Sequence, residues 1–302
     1  MECIFNGNDL TGIRHPKYLF RYMRDNDFLT EILREPYLWF SAPDALNDPF
    51  DCANVVDTEN TVDELEWFAR KSLARHELDI DFRAMAEKWH ASPDMSRELV
   101  ARFYELMMRK VSLCCCSGDS DNFLMWSHYA DGHRGACIIL DACRLVDTGQ
   151  FSLVKVDYRP EMPRWNWVRE RKEYGDSAKF NFRYDQTVLG TKTSPWEYEC
   201  EYRLISANRG KNSVDPYAFV GLVLGARMSP SRSSELQELA AKLPVMGVIS
   251  AELDATNGAV NACGIENPVV EHDVTRWQHL PNSWTRGELV SWAISEMEKN
   301  SP

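Results

Sequence analysis

Between Thr61 and Lys110 the chain keeps a helical period. Thr61 and Glu64 stand three apart as a capping-box pair, Leu65, Phe68 and Leu73 follow at helical spacing, a second helix covers Asp81 to His90, and Leu99, Phe103, Leu106 and Met107 mark a third. The pattern on either side is different. "YLFRYM" (18–23), "PYLWFSA" (36–42), "VSLCCCS" (111–117), "GACIILD" (135–141), "FSLVKVDY" (151–158), "AFVGLVLG" (218–225) and "VMGVIS" (246–250) are short apolar runs bounded by turn residues, the signature of strands. No repeat or low-complexity linker separates the two patterns, so the helical block reads as an insertion. The expected architecture is α+β: a single α/β domain over 1–302, a mostly antiparallel central sheet and a helical insertion at about 60–110. Further helices are expected at 27–34, 122–130 and 231–242, and a last one at about 285–299, where Thr285 and Glu288 repeat the capping pair.

At 302 residues and 44% hydrophobic content the chain has the material for a sizeable core. No run approaches the roughly 18 to 20 apolar residues of a membrane span, and Met1 to Leu10 lacks the basic start and apolar stretch of a signal peptide. A cytoplasmic location without membrane contact is expected. The nine cysteines are odd in number and include the adjacent Cys114, Cys115 and Cys116, which alternate between strand faces, so reduced thiols are expected.

A formal net charge of −12 opposes nonspecific binding to nucleic acid, which rests on Lys and Arg clusters. Local distribution runs the other way in one place. Arg164, Arg169, Arg171, Lys172, Lys179 and Arg183 are interleaved with Trp165, Trp167, Tyr174, Phe180, Phe182 and Tyr184. This segment reads either as a polynucleotide surface, with bases stacked on rings, or as helix with a basic solvated face and an aromatic core face.

"SPWEYECEYRLI" (194–205) carries the densest chemistry. Read as a strand, it places Glu199, Glu201 and Arg203 on one face and Tyr198, Cys200, Tyr202 and Leu204 on the other. Two neighbouring carboxylates raise each other's pKa while Arg203 lowers it, so the row can hold one ionised and tune the other. The plainer alternative is a solvated sheet face with a salt bridge. "MWSHYADGHRGACIILD" (125–141) puts His128 and Tyr129 at a helix end, as ligand-contacting groups or as core packing. His128 and His133 are five apart and no Cys-x-x-Cys pair supplements them, so no metal is expected. Nucleophile elbows, phosphate loops and dinucleotide glycine motifs do not occur in the chain.

Four ordered motifs, "LWFSAPDALNDPFD" (38–51), "MWSHYADGHRG" (125–135), "WEYECEYRLI" (196–205) and "LVLGARMS" (222–229), resemble a bacterial family called domain of unknown function 2971, from about Tyr18 to Ser250. The order of a strand with a basic residue, a strand ending in Ser and a late Glu-x-Glu is also distantly similar to ADP-ribosyltransferases of the Arg-Ser-Glu kind, and the aromatic strand followed by Ser-x-Pro looks like DNA-targeting toxins of the DarT kind. That resemblance implies an ADP-ribosyltransferase-like sheet and NAD as a substrate. It implies Glu201 as the catalytic carboxylate and Glu199 as the group that meets the acceptor. Arg21, Tyr22 and Ser41 would hold the dinucleotide with Arg203 nearby, Tyr129 and His128 would pack against nicotinamide, and Asn47 and Asp48 would form the rim.

Arg21, Ser41, Tyr129 and Glu201 are thus expected to converge on one pocket. The acceptor would be nucleic acid or protein, the role that of a toxin or phage-defence effector, and an antitoxin a possible partner. Two other readings stand beside this one. The first is a noncatalytic nucleotide- or protein-binding module in which Glu199, Glu201 and Arg203 form a structural ion network. The second is a metal-dependent nuclease using Asp48, Asp51, Glu199 and Glu201.

Overall fold

The protein is represented by a computed structural model that describes residues 13–272, apart from 54, 74–79, 176, 245, 257 and 262–268. The helix expected at about 285–299 lies outside the described residues. The chain forms a mixed α/β fold around a seven-stranded sheet. Its strands lie in the order Gly247–Ser250, Phe219–Leu224, Ala136–Asp141, Tyr18–Met23, Ser112–Ser117, Glu201–Ser206 and Ser152–Lys155. Every neighbouring pair is antiparallel except the one at the Gly247 edge.

The sheet is not evenly closed. Tyr18–Met23 and Ser112–Ser117 meet only at Phe20 opposite Ser117 and then part. Ser41, at the end of the strand Tyr37–Phe40, takes the vacated edge by exchanging two backbone hydrogen bonds of 2.8 Å with Leu113. The backbone groups on this edge of the Ser112 strand need partners when buried, and Ser41 supplies them where the neighbouring strand has left.

Alternation along the strands divides the side chains between two layers. Leu19, Cys114, Cys116, Ile138, Leu140 and Leu204 face one way, into a core closed by the helices Asp27–Arg34 and Pro230–Ala240. The first of these helices starts at Asn26, whose side chain accepts from the Leu29 amide, and it buries Leu29, Ile32 and Leu33 at helical spacing. Full burial of such a side chain is worth about 1.5 to 3 kcal/mol. The second begins at Ser229 and buries Leu236, Leu239 and Ala240.

The opposite face carries two separate apolar groups. Over the Tyr18, Ala136 and Phe219 strands, Trp126 from the helix Phe123–Tyr129 packs with Phe20, Tyr22, Ile139 and Val223. Over the Ser112, Glu201 and Ser152 strands, Leu113, Val154 and Ile205 meet Phe68, Val100, Phe103 and Leu106. The last four come from the helices Val62–Leu73 and Pro93–Met108, which with Phe82–Ala91 occupy the helical segment read from the sequence. The capping box at its start is formed: the Thr61 amide donates to Glu64 Oε2 at 2.7 Å and the Glu64 amide to Thr61 Oγ1 at 3.2 Å.

The basic-aromatic segment joins this second group as the helices Trp167–Tyr174 and Ala178–Tyr184. Trp165, Trp167, Phe180 and Tyr184 are buried in the core. Arg169 donates to Glu64 at 2.8 Å, Arg183 makes two bonds of 2.7 and 2.6 Å to Glu170, and Arg171 lies 4.4 Å from the centre of the Phe180 ring. The reading of this segment as a stacking surface for bases is therefore corrected, because four of its six large rings are consumed by packing and these three arginines already hold partners within the chain.

Two of the motif glycines have a packing cause. The turn after Gly225 lies against the turn before Gly135: the Gly225 amide donates to the Gly135 carbonyl at 2.9 Å, and the Arg227 amide to the His133 carbonyl at 2.9 Å. A Cβ on Gly135 would stand 2.1 Å from the Met23 carbonyl oxygen, and one on Gly225 would stand 2.3 Å from that of His133. No side chain fits at either position, so "DGHRG" and "LGARMS" are one structural joint.

Candidate active site

The two apolar groups leave a seam between them on the same sheet face, and the polar residues gather there. The chain enters the seam through a tight turn. Ser194–Glu199 is a 3-10 helix with Pro195 in its first turn, and Cys200 follows in the left-handed region at φ 47° before the strand starts at Glu201. The expected continuous strand over 194–205 is thus corrected at its first half. The turn is held by the Gly118 amide donating to the Cys200 carbonyl at 2.8 Å and by Ser117 Oγ donating to the Glu199 carbonyl at 2.7 Å. Glu199 and Glu201 still point to one place, through the turn rather than through strand alternation.

That place is Lys192, on the short strand Thr191–Thr193. Its Nζ lies 2.5 Å from Glu199 Oε2, 3.2 Å from Glu201 Oε2 and 3.7 Å from Asp51 Oδ2. Arg203, two residues along the strand from Glu201, donates from Nε and Nη2 to the two Glu201 oxygens at 2.9 and 3.0 Å. Its other contacts are with Asp51, at 2.7 and 2.8 Å, with the Leu189 carbonyl at 2.7 Å and with the Cys52 sulfur at 3.4 Å. Arg203 is fully buried, Lys192 and Glu201 are 3% exposed, and Glu199 is 4% exposed. From Glu199 the chain of polar contacts runs outward: Tyr129 donates to Glu199 Oε1 at 2.5 Å, and Asn47 Nδ2, on the surface, donates to the Tyr129 hydroxyl at 3.0 Å.

Three carboxylates therefore meet two cations: Asp51 and Glu201 each contact both Lys192 and Arg203, whereas Glu199 contacts Lys192 and not Arg203. Burial alone would push Glu201 up, but Arg203 and Lys192 overcome it and hold the carboxyl down at about 2. Burial raises Glu199, and the neighbouring Glu201 adds to the rise, although Lys192 and the Tyr129 hydroxyl act against it. Glu201 is thus a fixed counter-charge, whereas Glu199 is the carboxylate that can exchange a proton. Burial and the adjoining Glu199 keep the Tyr129 phenol protonated far above its ordinary range.

Aromatic groups surround this outer end. His128 lies 6.4 Å from Tyr129 and 6.2 Å from Tyr198, and Tyr198 lies 6.2 Å from Trp196, ring centre to ring centre. Lys192 also stands 4.7 Å from the centre of the Trp196 ring.

The other residues expected in the site are placed as follows. Arg21 is on the opposite sheet face from Glu201, since Phe20 shares the Ser117 and Glu201 side by pairing register. Its guanidinium donates to the Cys115 carbonyl, filling the gap where the two strands part. Tyr22 is buried beneath Trp126, with its hydroxyl on the Asp119 carbonyl at 2.8 Å. Ser41 forms the sheet bridge described above. Asp48 is buried, with Oδ1 accepting from the Phe50 amide at 2.9 Å and Oδ2 without a hydrogen-bond partner.

The structure brings Glu199, Glu201, Arg203, Tyr129 and Asn47 together, with His128 beside them, and leaves Arg21 outside. An open groove of about 320 Å³ borders the Cys200 turn, lined by Gly118, Lys155, Tyr158, Cys200 and Tyr202 among others, and none of Arg21, Ser41, Tyr129 or Glu201 lines it. The four do not meet in that groove. Among the described residues no group of three or more His, Cys, Asp and Glu is placed to hold a metal ion. Three of the four acids named for a nuclease site are instead turned onto cations, Asp51 and Glu201 onto Arg203 and Glu199 onto Lys192, while Asp48 accepts from the Phe50 amide.

Sequence reasoning missed Lys192 as a member of the site and Tyr158, whose hydroxyl accepts from the Glu201 amide at 2.8 Å. A lone lysine in a short strand carries no periodic signal. One clue was present: two glutamates beside a single arginine leave a charge that a buried row must balance elsewhere in the chain.

No helix among the described residues is long and apolar enough to cross a membrane. No curated protein and no solved structure matches the chain. Residues 125–204, which run from the Trp126 helix through the Lys192 strand to the Glu199–Arg203 turn, match the family model described as a protein of unknown function (DUF2971), the family that the motifs resemble.

Proposed function

We propose that the chain is an NAD-dependent mono-ADP-ribosyltransferase whose reacting carboxylate is Glu199. The observation that carries this reading is the position of Glu199 at the outer end of the network, bonded to Tyr129 and sharing Lys192 as its cationic partner, where Asp51 and Glu201 each meet both Lys192 and Arg203. Cleavage of the bond between nicotinamide and ribose passes through an oxocarbenium-like state, and a preorganised carboxylate stabilises the positive charge as it forms. Glu199 supplies that charge, while Glu201, neutralised by Arg203, anchors Lys192. Tyr129, His128, Tyr198 and Trp196 offer rings against which a planar nicotinamide can stack. Access of a substrate to Glu199 requires that Tyr129, bonded to Glu199 Oε1 and held in turn by Asn47, be displaced. The acceptor, protein or nucleic acid, and the role as a toxin or phage-defence effector with an antitoxin partner follow from the resemblance alone.

The burial of Glu201 and its two bonds to Arg203 favour a second reading, a noncatalytic module in which the whole seam is a structural ion network. One experiment separates the two. NAD labelled on the adenylate is incubated with the protein and a cell lysate, nicotinamide release and label transfer are followed, and the products are digested with protease or nuclease. The transferase reading expects release that falls about a hundred- to a thousandfold in Glu199→Gln at unchanged melting temperature. Absence of nicotinamide release from the native protein leaves the structural network as the function of the seam.

A further inference from the structure

We propose that Lys192 is the positioning residue of this site: its ammonium gathers carboxylates from separate chain segments onto one point, aims Glu199 at Tyr129 and supplies the positive charge on which Glu199 relies to remain ionised beside Glu201. Asp51 comes from the loop after Ser41, Glu199 from the 3-10 helix and Glu201 from the central sheet, and Lys192 Nζ lies within 3.7 Å of all three.

Arg203 does not share this task. Its guanidinium is committed to Glu201, Asp51, the Leu189 carbonyl and the Cys52 sulfur, all deeper in the seam. Arg21 donates to the Cys115 carbonyl on the other face. The groups facing Glu199 are thus Lys192 from the Thr191 strand, Tyr129 from the Phe123 helix, Glu201 from the sheet strand, Tyr158 from the strand Asp157–Arg159 and Tyr198 from its own turn. Of these, Lys192 alone carries positive charge. The Trp196 ring 4.7 Å from the ammonium and the carboxylates on its other side leave the side chain little freedom of direction. Loss of the ammonium would leave two carboxylates facing each other through Glu199 and Glu201, and the one without Arg203 would take up the proton.

The proposal deepens the reading of Glu199 as the reacting group, and its test has a readout independent of turnover. Glutamate side-chain carboxyl carbons are labelled with carbon-13, the Glu199 signal is assigned by its loss in Glu199→Gln, and its titration is followed in the native protein and in Lys192→Met. The midpoint is expected to rise by about 1 to 3 pH units in the variant. The acid limb of nicotinamide release should move by the same amount. Since Lys192→Met leaves three buried acids facing one cation, the double variant Lys192→Met with Glu201→Gln restores the balance of charge, and its Glu199 midpoint should also stand above the native one. Lys192→Arg, which keeps the charge, should hold the midpoint near native. An unchanged Glu199 midpoint in either methionine variant overturns the assignment. A raised midpoint with no nicotinamide release from any form supports the role of Lys192 and removes the transferase reading.

Discussion

Two regions of this protein mix arginines, acids and aromatic rings, and they solve the mixture in opposite ways. In the helices Trp167–Tyr174 and Ala178–Tyr184 the rings go inward and the charges stay at the boundary with water, so Arg169 and Arg183 find carboxylates while 48% and 40% of their side chains remain exposed. In the seam the charges themselves go inward. Asp51, Glu199, Glu201, Lys192 and Arg203 are all buried and the rings stand at the outer end. A charge at the boundary keeps most of its hydration and gains little from its partner, whereas a charge in the seam has lost its water and depends wholly on the groups around it. An unbalanced count is harmless in the first place. In the second it must appear somewhere, and it appears at Glu199.

The largest effect should follow from Arg203→Leu, which leaves Asp51 and Glu201 buried with only Lys192 between them. Removal of one partner from a buried pair costs about 3 to 5 kcal/mol, to be read from urea unfolding. A loss below about 1 kcal/mol would place the seam in the same class as the boundary pairs and erase the contrast.

A smaller effect of opposite sign should distinguish the two glutamates. Glu201→Gln gives up charged hydrogen bonds worth about 1.5 to 3 kcal/mol at neutral pH. The Glu201 carboxyl is lowered from 4.5 to about 2, so its contribution is complete above pH 4.5 and is lost as pH falls toward 2. Acid unfolding of the native protein should therefore steepen in that window, and the variant should lack that part of the slope. Glu199 is raised above 4.5, so its contribution is present below 4.5 and is lost as pH rises through the folded value. Glu199→Gln should accordingly be as stable as the native protein at neutral pH or slightly more so, and should gain on it toward alkaline pH. Equal destabilisation by both changes would show that the two carboxylates do the same work.

The smallest effect belongs to the boundary region. Arg183→Gln removes the two bonds to Glu170 and should cost less than about 1 kcal/mol, a loss that added salt further reduces. A salt-independent loss as large as that of Arg203→Leu would mean that this helix layer, too, rests on dehydrated charge.

Much of the framework was legible in the amino-acid sequence because its signals are local. A capping box, as at Thr61 and Glu64, needs only four residues, and apolar runs such as "YLFRYM" and "GACIILD" declare strands by composition. The helical spacing of Leu29, Ile32 and Leu33 likewise names a buried face without reference to the rest of the chain. The Glu-x-Glu stretch was legible as chemistry but not as geometry. A run of alternating residues reads as one strand, yet Pro195 and the left-handed Cys200 make its first half a 3-10 turn.

What only the tertiary structure decided is which charges share a point. Lys192 and Glu199 are seven residues apart and Arg203 and Asp51 are 152 apart, and no local pattern connects either pair. The face that Arg21 occupies was set by the register of Phe20 against Ser117, a choice made between strands. Side-chain charge is written in the sequence, but its energy depends on dielectric and distance, and both are fixed only when the sheet, the Asp51 loop and the Lys192 strand close around the same volume.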